Sequence, residues 1–335
     1  MLRIRSIVAI VAAVALLVAM LPTMVLADAQ GSVTGEFTLG GTAPTVSDVY
    51  VTDLSDVTVN TMTPGSSYKV KIDIGDANGM EDIDQVRVAI VFDATDADPT
   101  ADPGETGNTQ NLVCLKWLKS GDAWSISPGS STTWSLTTLN CVKPSNMTAT
   151  TGTWVFYVTV GKVANEAAGG ATNPGWDLFG EAYDDTNTIE AWGDRDLAVE
   201  WYGAITVTGS PADFGSVVLG QIEKESTAVS TNYVSNGDYD GQVKSDAATW
   251  TAGSYSVTLV ASAPGAGQFS LLADDDANTG DAVNVSTSYQ TIDDGGITGE
   301  SGVDDTDNHL WLTLGSTSIL AGGYSGLIYY QIANG

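Results

Sequence analysis

Acidic and amide side chains crowd the stretch Asp73-Ile74-Gly75-Asp76-Ala77-Asn78-Gly79-Met80-Glu81-Asp82-Ile83-Asp84. Asn78-Gly79 alone supplies what a turn needs, so the carboxylates around it exceed the demands of chain reversal. Short carboxylates on loops suit hard cations, and calcium takes about six to eight oxygen ligands. A second acidic loop, Ala182-Tyr183-Asp184-Asp185-Thr186-Asn187, follows a later apolar stretch. If both loops fall at one pole of a sandwich, Asp73, Asp76, Asn78, Glu81, Asp82, Asp184 and Asp185 form a candidate calcium-ligand set. The plainer reading of the same acids is a solvated, self-repelling surface suited to solubility or to saline surroundings.

Asp274, Asp276 and Asn278 also place oxygen ligands at alternate positions, as at the start of an EF-hand loop. The match then fails, because glycine comes one place late and Val285 stands where a bidentate Glu is required. A solvated hairpin loop is the expectation there. The clusters Asp293-Asp294-Gly295-Gly296 and Asp304-Asp305-Thr306-Asp307 are read the same way.

Catalytic chemistry has little to start from. His309 is the only histidine, and it opens an apolar strand pattern, so a Ser/His/Asp arrangement would need a distant serine that nothing marks. Zinc, P-loop and dinucleotide motifs are absent, and among 41 acids a carboxylate pair at glycosidase spacing carries no signal. The chain is therefore expected not to be an enzyme. Cys114 and Cys141 are its two cysteines. In an oxidising exterior they are expected to form one disulfide, closing a loop of about 27 residues worth about 3 kcal/mol.

The elements that position these residues have a period of two. Tyr68, Val70, Ile72 and Ile74 alternate with Lys69, Lys71 and Asp73; Val86, Val88, Ile90 and Phe92 form a second set, and Trp154, Phe156, Val158 and Val160 a third. Alternation of this kind marks half-buried strands. Further strands are expected over Asp177–Tyr183, Leu197–Val207, Tyr255–Val260, Gln268–Leu272, Val283–Tyr289, Leu310–Leu314 and Ser325–Ile332. Strands separated by turns, without helices between them, point to an all-β chain of two tandem antiparallel β-sandwich domains.

Arg3 and Arg5 precede an unbroken apolar run from Ile7 to Leu21, followed by Pro22 and Val25-Leu26-Ala27. These are the parts of a secretory signal peptide, cleaved after Ala27 or Ala29. The expected organisation is a signal peptide over 1–27, a linker or extra strand over 28–45, an immunoglobulin-like sandwich over 46–208 and a second sandwich over 209–335. The chain carries 12 basic against 41 acidic residues, a net charge of −29. That balance excludes nucleic acid, whose phosphates require Lys and Arg, and disfavours anionic membrane surfaces.

The segments MTPGSSYKVKIDIGDANGMEDIDQVRVAIVF, TGTWVFYVTV and WDLFGEAYDD resemble the immunoglobulin-like modules of secreted prokaryotic surface proteins. The ending LWLTLGSTSILAGGYSGLIYYQI is similar to the close of WxL-type cell-surface domains. Trp311-Leu312 lacks the intervening residue of that motif, so peptidoglycan attachment does not carry over. The resemblances imply a fold and a cell-surface or secreted location, with no catalytic residues.

The expected function is that of a secreted surface or matrix structural protein acting through binding or assembly, with matrix components, glycans or its own copies as partners. A carbohydrate-binding or adhesin module is the alternative, with Trp117, Trp124, Trp134, Trp176, Trp192, Trp201 and Trp250 as stacking candidates. A fibre subunit is the other, with residues 30–44 adding a strand to a neighbour's sheet edge.

Overall fold

Trp154, Phe156 and Val158 alternate inward on one strand and meet Val88 and Ile90 from a facing sheet, all at most 1 % exposed. The computed structural model in which they do so describes residues 41–94, 102–104, 110–127, 134–170, 173–185, 188–208 and 211–335, without the side chains of 192–195 and 304–307. The signal peptide and most of the linker therefore lie outside the described residues. No helix among those residues is long and apolar enough to cross a membrane.

The first part runs β1 (Thr45–Thr52), β2 (Thr61–Met62), β3 (Ser67–Gly75), β4 (Gln85–Asp93), β5 (Leu112–Leu118), β6 (Ala123–Ser127), β7 (Ser135–Leu136), β8 (Thr151–Thr159), β9 (Gly175–Tyr183) and β10 (Thr188–Val199). Four strands pair in the order β1-β3-β8-β7 and six in the order β2-β10-β9-β4-β5-β6. The alternation of Val70, Ile72, Val86 and Val88 puts one face of each sheet into a shared core, as alternation demands when only one face is buried. Strand β9 is central and buried on both faces up to its last residue.

The second part runs β11 (Gly203–Thr208), β12 (Lys224–Glu225), β13 (Val229–Ser235), β14 (Tyr239–Ser245), β15 (Thr249–Ala252), β16 (Tyr255–Leu259), β17 (Gln268–Asp274), β18 (Val283–Asn284), β19 (Gln290–Gly295), β20 (Val303–Leu314) and β21 (Ile328–Asn334). A large sheet of order β11-β13-β20-β17-β16-β15, with β12 and β18 attached, faces the three strands β19-β14-β21. Phe269, Leu310 and Leu312 meet Val243 and Ile292 between them. The all-β sandwich architecture is thus as the periodicity requires. Pairing is antiparallel except for β10 with β2 and β16 with β17.

Two expected strands divide. The stretch Leu197–Val207 breaks at Glu200–Tyr202, and its second half, β11, pairs with β13 in the large sheet. The stretch Val283–Tyr289 holds only the short β18, because Val285 is buried in the core and the Ser286 hydroxyl closes a turn by accepting the Ser288 N–H.

The disulfide is a correction. The two cysteines form none; both are thiols. Cys114 sits opposite Ala89 on β4 and shares its outward face with Leu112, while Val113 and Leu115 face the core. Cys141 lies beside β8 in the opposite sheet, where its sulfur accepts the Tyr157 N–H at 3.4 Å. Packed sheets stand about 10 Å apart, and a disulfide needs Cα atoms within about 7 Å, so a sulfur turned outward from one sheet does not meet a sulfur on the other.

The sandwiches join through buried polar contacts. Asn236, 1 % exposed, donates its amide to the Ala164 and Glu200 carbonyls, each at 2.9 Å, and accepts the Tyr202 N–H at 2.6 Å. Gln110 donates to the Thr298 carbonyl at 2.6 Å.

Candidate metal centre

Strand β3 ends at Gly75, and Asp76 opens the connection to β4. The Asp76 N–H bonds the Thr150 carbonyl, and its Oδ1 accepts the Asn78 N–H at 2.7 Å, an Asx turn that reverses the chain. Gly79 follows with φ +105, beside the Met147 and Thr148 carbonyls, a conformation open to glycine. A 3₁₀ turn over Met80–Asp82 then anchors buried Met80 and carries Asp82 to the pole. Asp184 arrives from the other direction, immediately after β9, and the bond from Asp84 N–H to the Tyr183 carbonyl ties the two loops together.

Carboxylate oxygens of Asp76, Asp82 and Asp184 lie within 4.8 Å of one another. Asp184 is fully buried and Asp76 is 3 % exposed. The second oxygen of Asp76, Oδ2, is buried with no hydrogen-bond partner among the described residues. Burial pushes the Asp82 carboxyl above its ordinary range, and the charges of Asp76, Asp184 and Asp185 push it further the same way. Lys119 opposes them weakly and bonds Asp84. A buried acceptor left unmatched among like charges is costly, and a hard cation relieves both the desolvation and the repulsion. Oxygens across a calcium ion stand about 5 Å apart at its usual bond lengths, so the spacing suits that ion.

Of the seven residues expected to bind calcium, three converge. Asp185 is exposed beside them, close enough to act on Asp82. Asp73, two residues before the end of β3, accepts a hydrogen bond from the Thr153 hydroxyl on β8. Asn78 accepts the Thr42 N–H at 2.8 Å, and Glu81 is exposed.

A second convergence follows β17. Asp274, Asp276 and Asp281 bring carboxylate oxygens within 4.8 Å. The loop is held from inside: Asp276 accepts the Asn278 N–H, Asn278 accepts the Gly280 N–H and donates to Asp281. Asp274 is 7 % exposed, and its Oδ2 has no hydrogen-bond partner among the described residues, whereas the loop from Asp276 to Asp281 is exposed, as expected of a solvated hairpin. Burial, joined by the neighbouring Asp275, pushes the Asp274 carboxyl up to about 7.

A third group, Asp102, Glu181 and Glu190, differs in holding its own cation. Arg87 Nη2 reaches Asp102 at 2.6 Å and Glu181 at 2.7 Å, and its guanidinium lies 5.2 Å from the Phe179 ring centroid. Sequence reasoning missed this network, although Arg87, alternating with Val86 and Val88 on the opposite face of the strand, was its visible mark.

Most of the remaining candidates pack within the fold. His309 Nδ1 lies 2.5 Å from Glu225 Oε1, and the ring stacks on Trp311. Trp117, Trp134, Trp176 and Trp250 are buried, and Trp124 and Trp201 are half-buried; the side chain of Trp192 lies outside the described residues. Trp117 packs on Trp154 and Trp134 on Trp176, within the core.

No family model matches the chain, and no curated protein matches it. Among solved structures, the 35 kDa C-terminal fragment of the major pilin of Streptococcus agalactiae is similar at 12% identity, over 86% of this chain and 91% of that one, with a TM-score of 0.22. Nothing about a site or a partner follows from so distant a likeness.

Proposed function

We propose that the chain is an exported structural protein of a cell surface or extracellular matrix, and that calcium bound by Asp76, Asp82 and Asp184 clamps the outer pole of its first sandwich. The observation that carries the clamp is the buried, unpartnered Oδ2 of Asp76 within a triad of carboxylates. The structural role is supported by the composition, which has no basic surface for nucleic acid, and by sandwiches whose polar groups serve packing and loop closure. Calcium at about a hundred times its dissociation constant would stabilise the fold by about 2.7 kcal/mol.

The test is calorimetric titration of calcium into chelator-treated protein, paired with thermal melting. Asp76→Asn and Asp184→Asn should each lose one binding event while Asp276→Asn retains it. A melting temperature indifferent to both calcium and chelator would remove the clamp. A glycan-binding reading has less support, since most tryptophans proposed for stacking are spent on the core.

A further inference from the structure

The second sandwich is incompletely covered. Three strands face a sheet at least twice as wide, and beside β21 the inner face of the large sheet opens into a groove of about 940 Å³. Phe269, Leu312 and Leu314 form its floor, Ile328 and Tyr330 of β21 one wall, and Val217 part of the other. Its rim leaves Leu320 56% and Leu327 59% exposed, an apolar opening of the kind that marks a binding surface. Among the described residues β21 pairs with β14 alone, so its other edge offers backbone donors and acceptors along the groove.

We propose that this groove receives residues 30–40 of a second copy of the chain as an added strand on β21, joining subunits head to tail. In that segment Val33, Gly35, Phe37 and Leu39 alternate with Thr34, Glu36 and Thr38, which gives a strand one apolar face. Val33 to Leu39 would span about 20 Å, matching the seven residues of β21 at about 3.4 Å each. Main-chain bonds to β21 and side chains in the groove are the two components of strand addition.

Reach selects the second copy. Thr42 bonds Asn78 at the pole that carries Asp76, and the nine residues of β4 run about 30 Å from that pole to the junction with the second sandwich. Strand β21 has Asn334 at the junction side, opposite Tyr239, and Ile328 at the remote end, so the groove lies roughly 20 Å further on. Residues 28–40 reach at most about 45 Å when fully extended, too little to arrive and then pair. Donor and acceptor at opposite ends make a heterologous contact, which builds an open chain of subunits unless its rotation closes a ring.

This inference takes its setting from the structural-protein reading and is independent of the calcium triad, so either can fail alone. The experiment uses the full exported chain carrying Phe37→Glu and Leu39→Glu as receptor, and a labelled peptide of residues 29–41 as probe. The peptide should bind one to one, and the same peptide with both substitutions should bind on the order of a hundredfold more weakly, because two large apolar side chains no longer enter the groove. Leu327→Glu on the exposed rim should weaken binding without unfolding the receptor. In parallel, the parent chain should form end-to-end multimers by light scattering and electron microscopy, and the Phe37→Glu/Leu39→Glu chain should remain monomeric. Equal binding of both peptides, no binding, or multimers unaffected by the substitutions would each overturn the proposal.

Discussion

Asn236 donates its side-chain amide to the carbonyl of Ala164 across the junction of the two sandwiches, at 2.9 Å and out of contact with water. The same side chain bonds Glu200 and Tyr202, so one residue satisfies backbone groups on the chain that leaves the first sandwich and the chain that enters the second. Asn236→Ala leaves the Ala164 carbonyl buried and unmatched, at about 1–3 kcal/mol, and takes the partner from the part-buried Glu200 carbonyl and Tyr202 N–H. The expected result is a loss of at least about 2 kcal/mol in urea unfolding, together with a broadened transition as the two sandwiches uncouple. A variant as stable and as cooperative as the parent would show that the junction is held elsewhere.

Arg87 and Glu181 form a buried pair on the outer face of the six-stranded sheet, with Arg87 3 % and Glu181 8 % exposed. Removing one partner of such a pair strands the other charge, at about 3–5 kcal/mol. Arg87→Met should destabilise by that amount, and adding Glu181→Gln should recover much of it. Chemical denaturation of the two single variants and the double variant measures the coupling directly.

Legibility in the sequence followed burial. Strands β3 and β8 each hide one face, and Val70 and Phe156 announce them by alternation; β4, buried on both faces from Val86 to Ile90, still shows its core face through Val86, Val88 and Ile90. Strand β1 did not announce itself, because a bulge between Val46 and Asp48 puts Val46 out of phase with Val49 and Val51. Strands β13 and β14 hide Thr231, Ser235 and Ser245, small polar residues that give no apolar period. At the pole, the composition marked both loops that supply Asp76, Asp82 and Asp184, whereas Asp73 was excluded only by strand geometry that turns it toward Thr153. Asn236-Gly237 has the composition of a simple turn, and nothing local distinguishes it from one.

The cysteines make a chemical prediction. Cys114 is 1% exposed and Cys141 half-buried, with burial raising the Cys141 thiol and the Tyr157 N–H partly offsetting that. Native protein should therefore show slow maleimide labelling at Cys141 and essentially none at Cys114, with two labels after unfolding. Reductant should leave the melting temperature unchanged. Denatured protein that shows no free thiol until reductant is added would contradict the outward orientation of Cys114.

Acid stability should depend on Asp56. Its carboxylate Oδ1 meets Lys69 Nζ and Lys71 Nζ, each at 2.8 Å. Hydrogen bonds first from Lys69 and then from Lys71 lower its pKa to about 2, and the same contact with Asp56 raises Lys69. A carboxylate whose folded pKa lies below its unfolded value binds fewer protons when folded, so its stabilisation is complete above the ordinary Asp value and is lost as pH falls through the folded value. The window is therefore about pH 4 down to about pH 2. Asp56 also adopts φ +68, a left-handed conformation that Asn tolerates and most other residues do not. Asp56→Asn thus removes the charge while keeping the backbone. It should lower stability at neutral pH and flatten the pH dependence between about 4 and 2 relative to the parent, measured by melting across that range at low salt. Raising ionic strength should shrink the difference at neutral pH, since the pair is exposed on the Asp56 side. Parallel acid limbs in parent and variant would mean that Lys69 and Lys71 gain nothing from Asp56.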